Sequence, residues 1–280
     1  MRHIISTHVF VQHRLTVALL DRIAKAGIGE IEIFCARQHL DYRNPAQVEE
    51  LVHWFRDSDL KLYSLHSPMF SDTIWGRSGP NAVVTITEPD KAKRIAATDE
   101  IKRALEIAEL IPFRYLIQHI GVGGEEYSDR AVEAAFNSLE ELSIFAGQRQ
   151  VEILVENIPN ALSTAERLTA FVAATHLPLH FVFDTGHAHI MGGVAGGAAR
   201  EFEIMRDRIR STHVHDNDGK LDNHLFPTHD REDGLDWKQM MALLRSCGDE
   251  VPLLLELREV PEMEHPLDEI RRVFDRLESL

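Results

Sequence analysis

The sequence predicts an α/β fold, a single (β/α)8 TIM barrel that spans residues 1–280 as one domain. Short apolar or β-branched segments alternate with amphipathic helical segments, which is typical of parallel βαβ units. The chain has eight such strand segments, and eight parallel strands close a barrel. An open doubly wound sheet is the alternative, but no GxGxxG motif follows the first strand segment, which disfavours it.

The eight strands are predicted from runs of apolar residues that each end near a polar residue. In chain order they are HIIST (3–7), EIEIF (30–34), KLYSLH (61–66), YLIQHI (115–120), EILVE (152–156), LHFVFD (179–184), STHVH (211–215) and LLLEL (253–257).

Helical patterns lie between these strands, as in LTVALLDRIAKAG, PAQVEELVHWFRD and DRAVEAAFNSLEELSIFAGQ. Gly27 is positioned to end the first helix, and Ser128 and Ser163 are candidate N-caps. Two connections are long, residues 67–90 and 216–234. Because loops after barrel strands lie over the active face, these two are expected to cover a site.

Composition and charge exclude some classes of function. The net charge of −15 disfavours a broad grip on nucleic acid, which needs clustered lysine and arginine. The chain has no run of about 18 apolar residues, so no membrane span is expected. The chain has two cysteines and no signal-peptide pattern at its start, so a reduced, cytoplasmic protein is expected.

Six consecutive predicted strands end in a histidine, aspartate or glutamate. These residues are His66, His119, Glu156, Asp184, His213 and Glu256, and His187 follows three residues after Asp184. Strand ends converge at the mouth of a barrel, and buried charges there must be paired or bound to metal. The order of the six residues therefore predicts a divalent-metal site.

The stretch HVHDNDGKLDNH (213–224) is also rich in metal-ligand residue types. A solvated loop would explain its aspartates, but a metal site explains His213 as well. Asp222 and His224 form a pair that an extended loop could bring over the mouth. His215 could support a metal ligand without binding the ion itself, or it could have a purely structural role. Asp216 could anchor the loop or hydrogen-bond a ligand's second nitrogen.

The chain resembles the xylose isomerase-like TIM barrels, the group that holds endonuclease IV and the sugar and sugar-phosphate isomerases and epimerases. The resemblance rests on THVF, LHSP, QHIG, VEN, FDTGHA, HVHDND with DNH, and LLLE, and it covers essentially the whole chain. It implies one to three divalent ions, zinc or manganese. The endonuclease branch implies one position at His66, His119 and Glu156, a central one at Glu156, Asp184, His213 and Glu256, and a third at His187, Asp222 and His224.

The isomerase and epimerase branch of this family typically keeps only the central position. This chain departs from many relatives after the DNH motif, where FPTHDREDG replaces a short Pro-Gly-Glu-Gly-like turn. The usual substrate-binding arginine near that loop has no sure match, and Lys220 and Arg231 are the candidates. The resemblance therefore leaves the substrate open.

Isomerisation or epimerisation of a small sugar, polyol or sugar phosphate is the favoured hypothesis. The central ion would act as a Lewis acid on a carbonyl and an adjacent hydroxyl. Either Glu156 or Glu256 would remove the neighbouring proton, and the other would return it. His187 would position a substrate oxygen, so the predicted catalytic residues are Glu156, Glu256 and His187. The candidate substrate-binding residues are His66, Trp75, Arg77 and Lys220, with plain loop packing as the alternative for Trp75 and Arg77.

Zinc-dependent phosphodiester hydrolysis, as in an abasic-site (AP) endonuclease, is the alternative enzyme class. The complete nine-residue ligand set favours it, whereas the acidic charge and the lack of basic, intercalating loops disfavour it. A non-catalytic binding barrel is the third class. The expected partner is a small carbohydrate-like molecule, with nucleic acid and membrane disfavoured. A homo-oligomer paired through outer helices is compatible with the sequence, which indicates no particular face.

Overall fold

Eight parallel strands form one sheet that closes on itself in a computed structural model, which describes residues 1–192, 197–228, 231–260 and 263–280. Neighbouring strands follow chain order, and β8 lies beside β1. Val214, directly after β7, bridges Leu255 of β8 and completes the barrel. The strands are β1 (His3–Ser6), β2 (Glu30–Phe34), β3 (Lys61–His66), β4 (Tyr115–His119), β5 (Glu152–Glu156), β6 (His180–Asp184), β7 (Ile209–His213) and β8 (Leu253–Leu255). The predicted TIM barrel is confirmed.

Helices connect the strands along the outside of the barrel. In the part of the chain that the structure describes they are α1 (Val17–Lys25), α2 (Pro45–Arg56), α3 (Lys91–Leu105), α4 (Asp129–Gly147), α5 (Ala165–Ala174), α6 (Thr185–Gly192), α7 (Ala198–Met205), α8 (Trp237–Arg245) and α9 (Pro266–Glu278). Among these described segments, no helix has the length and apolar character needed to cross a membrane.

The predicted strand ends agree with the structure to within two residues. Differences of two residues occur in β7, which begins at Ile209 because Ile209 already pairs with Phe181 of β6, and in β8, which ends at Leu255. Ser128 caps α4 as predicted, since its hydroxyl accepts the N–H of Ala131 at 3.2 Å. The prediction for Ser163 was wrong. Thr164 caps α5, and the Ser163 hydroxyl instead donates to the carbonyl of Ile120 at 2.8 Å.

Two apolar layers support the barrel. The larger layer lies between the strands and the outer helices. The smaller one fills the barrel interior and comprises Ile4, Tyr63, Tyr115, Ile117, Leu154, Val182 and Leu254. Most of the candidate ligand residues lie where the strands end, above this packed interior, and that end of the barrel carries the candidate site.

Candidate metal centre

The predicted strand-end residues converge at the carboxyl end of the barrel. Within each of three groups, one nitrogen or oxygen atom per residue lies within 4.8 Å of the others. The first group is His66, His119 and Glu156; the second is Glu156, Asp184, His213 and Glu256; the third is His187, His215, Asp222 and His224. All nine residues that the family resemblance implies are therefore brought together, and His215 joins them.

The central group surrounds one ring nitrogen of His213. Its Nδ1 lies 3.1 Å from Glu156 Oε1, 3.3 Å from Glu256 Oε2 and 3.9 Å from Asp184 Oδ2. All four side chains are buried, with exposed fractions of 2% or less. Three buried carboxylates at this separation repel one another, and a divalent cation would offset that repulsion.

A second group lies beside the central one and shares Glu156. Nε2 of His66 lies 3.2 Å from Nε2 of His119, which in turn lies 3.1 Å from Glu156 Oε2. Two imidazole nitrogens and a carboxylate oxygen thus face one small space. Zinc is commonly bound by this combination of ligands.

The third group is formed by α6 and the loop after β7. Asp222 Oδ2 lies 3.2 Å from His187 Nε2 and 3.3 Å from His224 Nε2. His215 Nε2 lies 3.1 Å from Asp184 and 3.8 Å from Asp222, so it faces both the central and the third group. Asp222 is the exposed member, which places this group at the entrance to the site.

Backbone carbonyls orient three of these histidines. Nδ1 of His66, His187 and His224 lies 2.9, 2.9 and 3.0 Å from the carbonyl oxygens of Ser67, Asn157 and Glu256. A carbonyl only accepts, so Nδ1–H is the donor in each case. In the neutral ring, Nε2 then keeps its lone pair and points toward the neighbouring ligand-type atoms, which is the tautomer that metal ligation requires.

Burial and neighbouring charges act differently on the two glutamates of the central group. Burial by itself would raise the pKa of Glu156, but His213 and His119 hold that pKa well below its usual value. Burial raises the pKa of Glu256; His213 opposes the rise, and the carboxylates of Glu156 and Glu32 increase it. The metal-free chain therefore protonates Glu256 more readily than Glu156.

The residues present fit a divalent ion. Glu256 Oε1 is buried, and no donor among the described residues reaches it within hydrogen-bond distance. Carboxylate and imidazole ligands in the central group suit zinc or manganese, whereas the two histidine-rich groups favour zinc. An ion at the central position would be held by Glu156, Asp184, His213 and Glu256.

Two of the sequence motifs hold the central group in place. In VEN, the Asn157 amide donates to the Asp184 carbonyl at 3.0 Å, and its oxygen accepts the Asp184 N–H at 2.8 Å. In FDTGHA, Gly186 lies against the ring of His215, and a Cβ added to Gly186 would come within 2.0 Å of that ring. Only glycine therefore allows His215 to approach.

Asp216 anchors the loop that carries Asp222 and His224. Its carboxylate accepts from the N–H groups of Asn217 and Leu235 and from the indole N–H of Trp237, at 2.9, 3.1 and 3.0 Å. Of the two roles open for Asp216, the geometry supports the loop anchor. His224 has a φ of +47°, a left-handed conformation that is uncommon outside glycine and typical of constrained functional positions.

The four predicted substrate-binding residues have different surroundings. His66 is buried within the ligand groups, and Trp75 packs against Phe34 with ring centroids 5.3 Å apart. Arg77 and Lys220 are exposed. Trp75 also lies 5.9 Å from the ring of His8, so it borders the site through an aromatic contact.

Sequence reasoning missed Glu32, a fully buried carboxylate in β2. Its oxygens lie 3.2 and 3.3 Å from Nε2 of His213, the ring nitrogen that faces away from the central group. The available signal was a charged residue between two isoleucines in EIEIF. This signal is weaker than that of the other acidic residues of the site, because Glu32 lies within its strand whereas the others lie at or near strand ends.

A family model described as "Xylose isomerase-like TIM barrel" matches residues 20–280. The chain belongs to this family. A shared fold does not determine the reaction, which has to be argued from the residues of the site.

Individual relatives are distant. The uncharacterized protein y4fM of Sinorhizobium fredii is 24% identical over 174 residues, which cover 59% of this chain and 53% of that protein. The match thus spans about half the length of that curated relative. A D-tagatose 3-epimerase-like protein has a TM-score of 0.77 at 22% identity, covering 100% of this chain and 96% of the other. The IolI protein, solved with a zinc atom, has a TM-score of 0.78 at 18% identity, covering 100% and 98%.

Proposed function

We propose that this chain is a divalent-metal-dependent isomerase or epimerase of a small sugar, polyol or sugar phosphate. The observation that carries the proposal is the pairing of Glu156 and Glu256 across one ion position. Both carboxylates lie within 3.3 Å of His213 Nδ1, yet they extend from the ends of β5 and β8, which β6 and β7 separate. A small substrate held between them would meet a carboxyl group on each side.

The two glutamates suit a reversible proton transfer. Glu156, held ionised by its neighbouring histidines, would remove a proton from the carbon next to a carbonyl. In its protonated form, Glu256 would deliver a proton to the other side. Delivery to the former carbonyl carbon, with transfer of the adjacent hydroxyl's proton to the former carbonyl oxygen, gives isomerisation, and delivery to the opposite face of the same carbon gives epimerisation.

Other residues would bind and orient the substrate. A divalent ion, when bound, supplies Lewis acidity toward the substrate's carbonyl and hydroxyl oxygens. His187 would direct Nε2 to a substrate oxygen, since its Nδ1–H is held by the carbonyl of Asn157. Trp75 would cover the apolar face of the substrate, and Arg77 or Lys220 on the exposed loops would bind a distal oxygen or phosphate.

Similar solved proteins support this class of reaction by analogy. The D-tagatose 3-epimerase-like protein has the same fold over the whole of this chain. IolI, another barrel of this fold, binds a zinc atom in its crystal structure. Both likenesses are consistent with carbohydrate chemistry at a metal ion.

Solvent proton exchange tests the proposal. The zinc- or manganese-loaded protein is incubated in D2O with a panel of keto sugars, polyols and their phosphates, and deuterium incorporation is followed by NMR. We expect exchange with at least one substrate, and about a hundredfold or greater loss in Glu156→Gln and Glu256→Gln. Glu152→Gln, an exposed glutamate at the opposite end of β5, is the matched control. Exchange that survives Glu156→Gln would overturn the assignment of the base.

Phosphodiester hydrolysis is a second candidate, favoured by the two histidine-rich groups beside the central one. Clustered ions would lower the pKa of a bridging water and stabilise an in-line displacement. Elemental analysis of protein purified without chelator separates the two candidates. Two or three zinc ions per chain, together with incision of abasic duplex DNA that His66→Ala abolishes, would establish the hydrolase. A single ion that persists in His66→Ala supports the isomerase.

A further inference from the structure

We infer that Glu32 is a positioning residue for the metal centre, and that it acts by fixing the ring tautomer and raising the basicity of His213. The inference rests on the proposed function only in assuming that the central group holds a divalent ion. It adds a fifth residue, which contacts neither ion nor substrate, to the four that would bind the ion.

The position of Glu32 is unusual for a carboxylate. It lies inside the barrel with no solvent exposure, where the packed interior layer is apolar or aromatic. A buried carboxylate is costly unless it is paired and hydrogen-bonded. Among the described residues, its hydrogen-bond partners are the hydroxyl of Ser64 and the ring of His213.

The β-sheet register brings Glu32 to these partners. The pairing of β2 with β3 shifts between Ile31 and Glu32, and this irregularity sets Glu32 opposite Ser64. The Ser64 hydroxyl then donates to Glu32 Oε2 at 2.8 Å. The carboxylate is thereby fixed in orientation before any ion binds, which is a property of a preorganised site.

His213 connects Glu32 to the central group. Nε2 lies 3.2 Å from Glu32 Oε1 and 3.3 Å from Oε2, and the angles assign the hydrogen bond to Oε2. The opposite nitrogen, Nδ1, faces Glu156 and Glu256. A neutral imidazole carries one proton, and the bond to Glu32 keeps that proton on Nε2. Nδ1 then presents a lone pair to the ion position, and the negative charge of Glu32 makes this lone pair a better donor.

This arrangement differs from that of the other histidines. His66, His187 and His224 are oriented by neutral backbone carbonyls and present Nε2 to their groups. His213 is oriented by a carboxylate and presents Nδ1. The central position is thus the one with an additional buried negative charge directly behind its histidine, and it should bind a divalent ion more tightly than the two outer groups.

Metal affinity tests the inference without reference to any substrate. Zinc dissociation constants are measured by competition with a chromophoric chelator, and the central ion is identified as the one lost in Glu256→Gln. We expect Glu32→Gln to weaken that ion's binding about 10- to 100-fold. Glu30→Gln removes the same charge from the same strand at its partly exposed end, where Glu30 pairs with Arg2, and should have no effect.

A second readout separates positioning from a merely structural role. ¹⁵N NMR of histidine-labelled, zinc-loaded protein should show His213 protonated at Nε2 and metal-bound at Nδ1, with the Nε2 proton exchanging faster in Glu32→Gln. Unchanged zinc affinity in Glu32→Gln would overturn the inference and leave the proposed function standing. Failure of the wild-type chain to bind zinc at the central group would overturn its premise. Failure of the substrate screen alone would count only against the proposed function.

Discussion

The orientation of each histidine ring at this barrel mouth depends mainly on the group that hydrogen-bonds the ring nitrogen facing away from the site. The Nδ1 atoms of His66 and His224 face carbonyl oxygens, and this leaves the other ring nitrogen for a ligand. Where a side chain orients the histidine, as Glu32 does for His213, its substitution should weaken metal binding about 10- to 100-fold.

His39 illustrates a buried histidine with a different role. The structure buries it after β2, with Nδ1 2.5 Å from the carbonyl oxygen of His13. Burial lowers the pKa of His39 to about 4, although the carbonyls of His13 and Phe10 oppose this. It is therefore a neutral packing residue near neutral pH.

The lowered pKa of His39 gives the chain a pH-dependent stability. Since the unfolded state binds this proton near pH 6.5 and the folded state only near pH 4, stability present above pH 6.5 is lost as the pH falls toward 4. At pH 5 the cost is about 2 kcal/mol.

Urea unfolding at pH 7.5 and at pH 5 gives the free energy of unfolding at each pH, and the difference between these two values measures the effect. We expect that difference to shrink by about 2 kcal/mol in His39→Gln relative to the wild type. His53→Gln on α2 controls for the loss of one exposed imidazole. An equal pH dependence in wild type and His39→Gln would contradict the assignment.

Among the elements, α6 is the one that links the central and third groups. It begins at Thr185, directly after the strand-end Asp184, and the N–H of His187 donates to Asp184 Oδ1 at 2.6 Å. The first turn of α6 therefore sets the positions of Asp184 and His187 together. Gly186 lies between them, under the ring of His215.

Gly186→Ala should damage the site without removing a ligand. The added Cβ would come 2.0 Å from His215 Cε1, so His215 or the first turn of α6 must move. We expect a loss of about 1–3 kcal/mol in stability and weaker binding of an ion by the third group. Thermal unfolding and zinc stoichiometry measure the two effects.

Gly29→Ala is the matched control, because a Cβ at Gly29 meets open space. If Gly186→Ala kept both the wild-type stability and the wild-type zinc content, the close packing of His215 on Gly186 would be irrelevant to the site.

For the molecule as a whole, the site concentrates buried charge at one end of the barrel. Glu32, Glu156, Asp184 and Glu256 are all buried there, in a chain whose net charge is already −15. Histidines offset part of this charge, and a divalent ion would offset more. The folded state should therefore depend on metal for its stability.

Metal removal should lower the melting temperature. An ion present at about 100 times its dissociation constant stabilises the folded state by about 2.7 kcal/mol. For a chain of this size, that corresponds to a shift of about 5 °C or more. Scanning calorimetry before and after dialysis against a chelator, followed by zinc restoration, measures the shift. A melting temperature that chelator and added zinc both leave unchanged would contradict a stabilising ion.

Periodicity and strand-end chemistry were enough to predict the barrel and most of the ligand-type residues. The eight strands appear as separate apolar runs, and six of them are followed or ended by His66, His119, Glu156, Asp184, His213 and Glu256. Because parallel strands bring their carboxyl ends to one face, chain order alone implied that these residues meet. The roles assigned to them stay predictions until the experiments above are done.

Tertiary structure decided the features that depend on the inside of the barrel and on loop paths. Glu32 reaches His213 across the interior through the register shift between β2 and β3, and nothing in EIEIF specifies that shift. His215 joins the third group because Gly186 allows its ring to approach α6. The apolar runs in the chain specify which strands form and which residues lie at their ends. Which nitrogen of each histidine faces the site depends on contacts between residues far apart in the chain, and only the folded barrel sets those contacts.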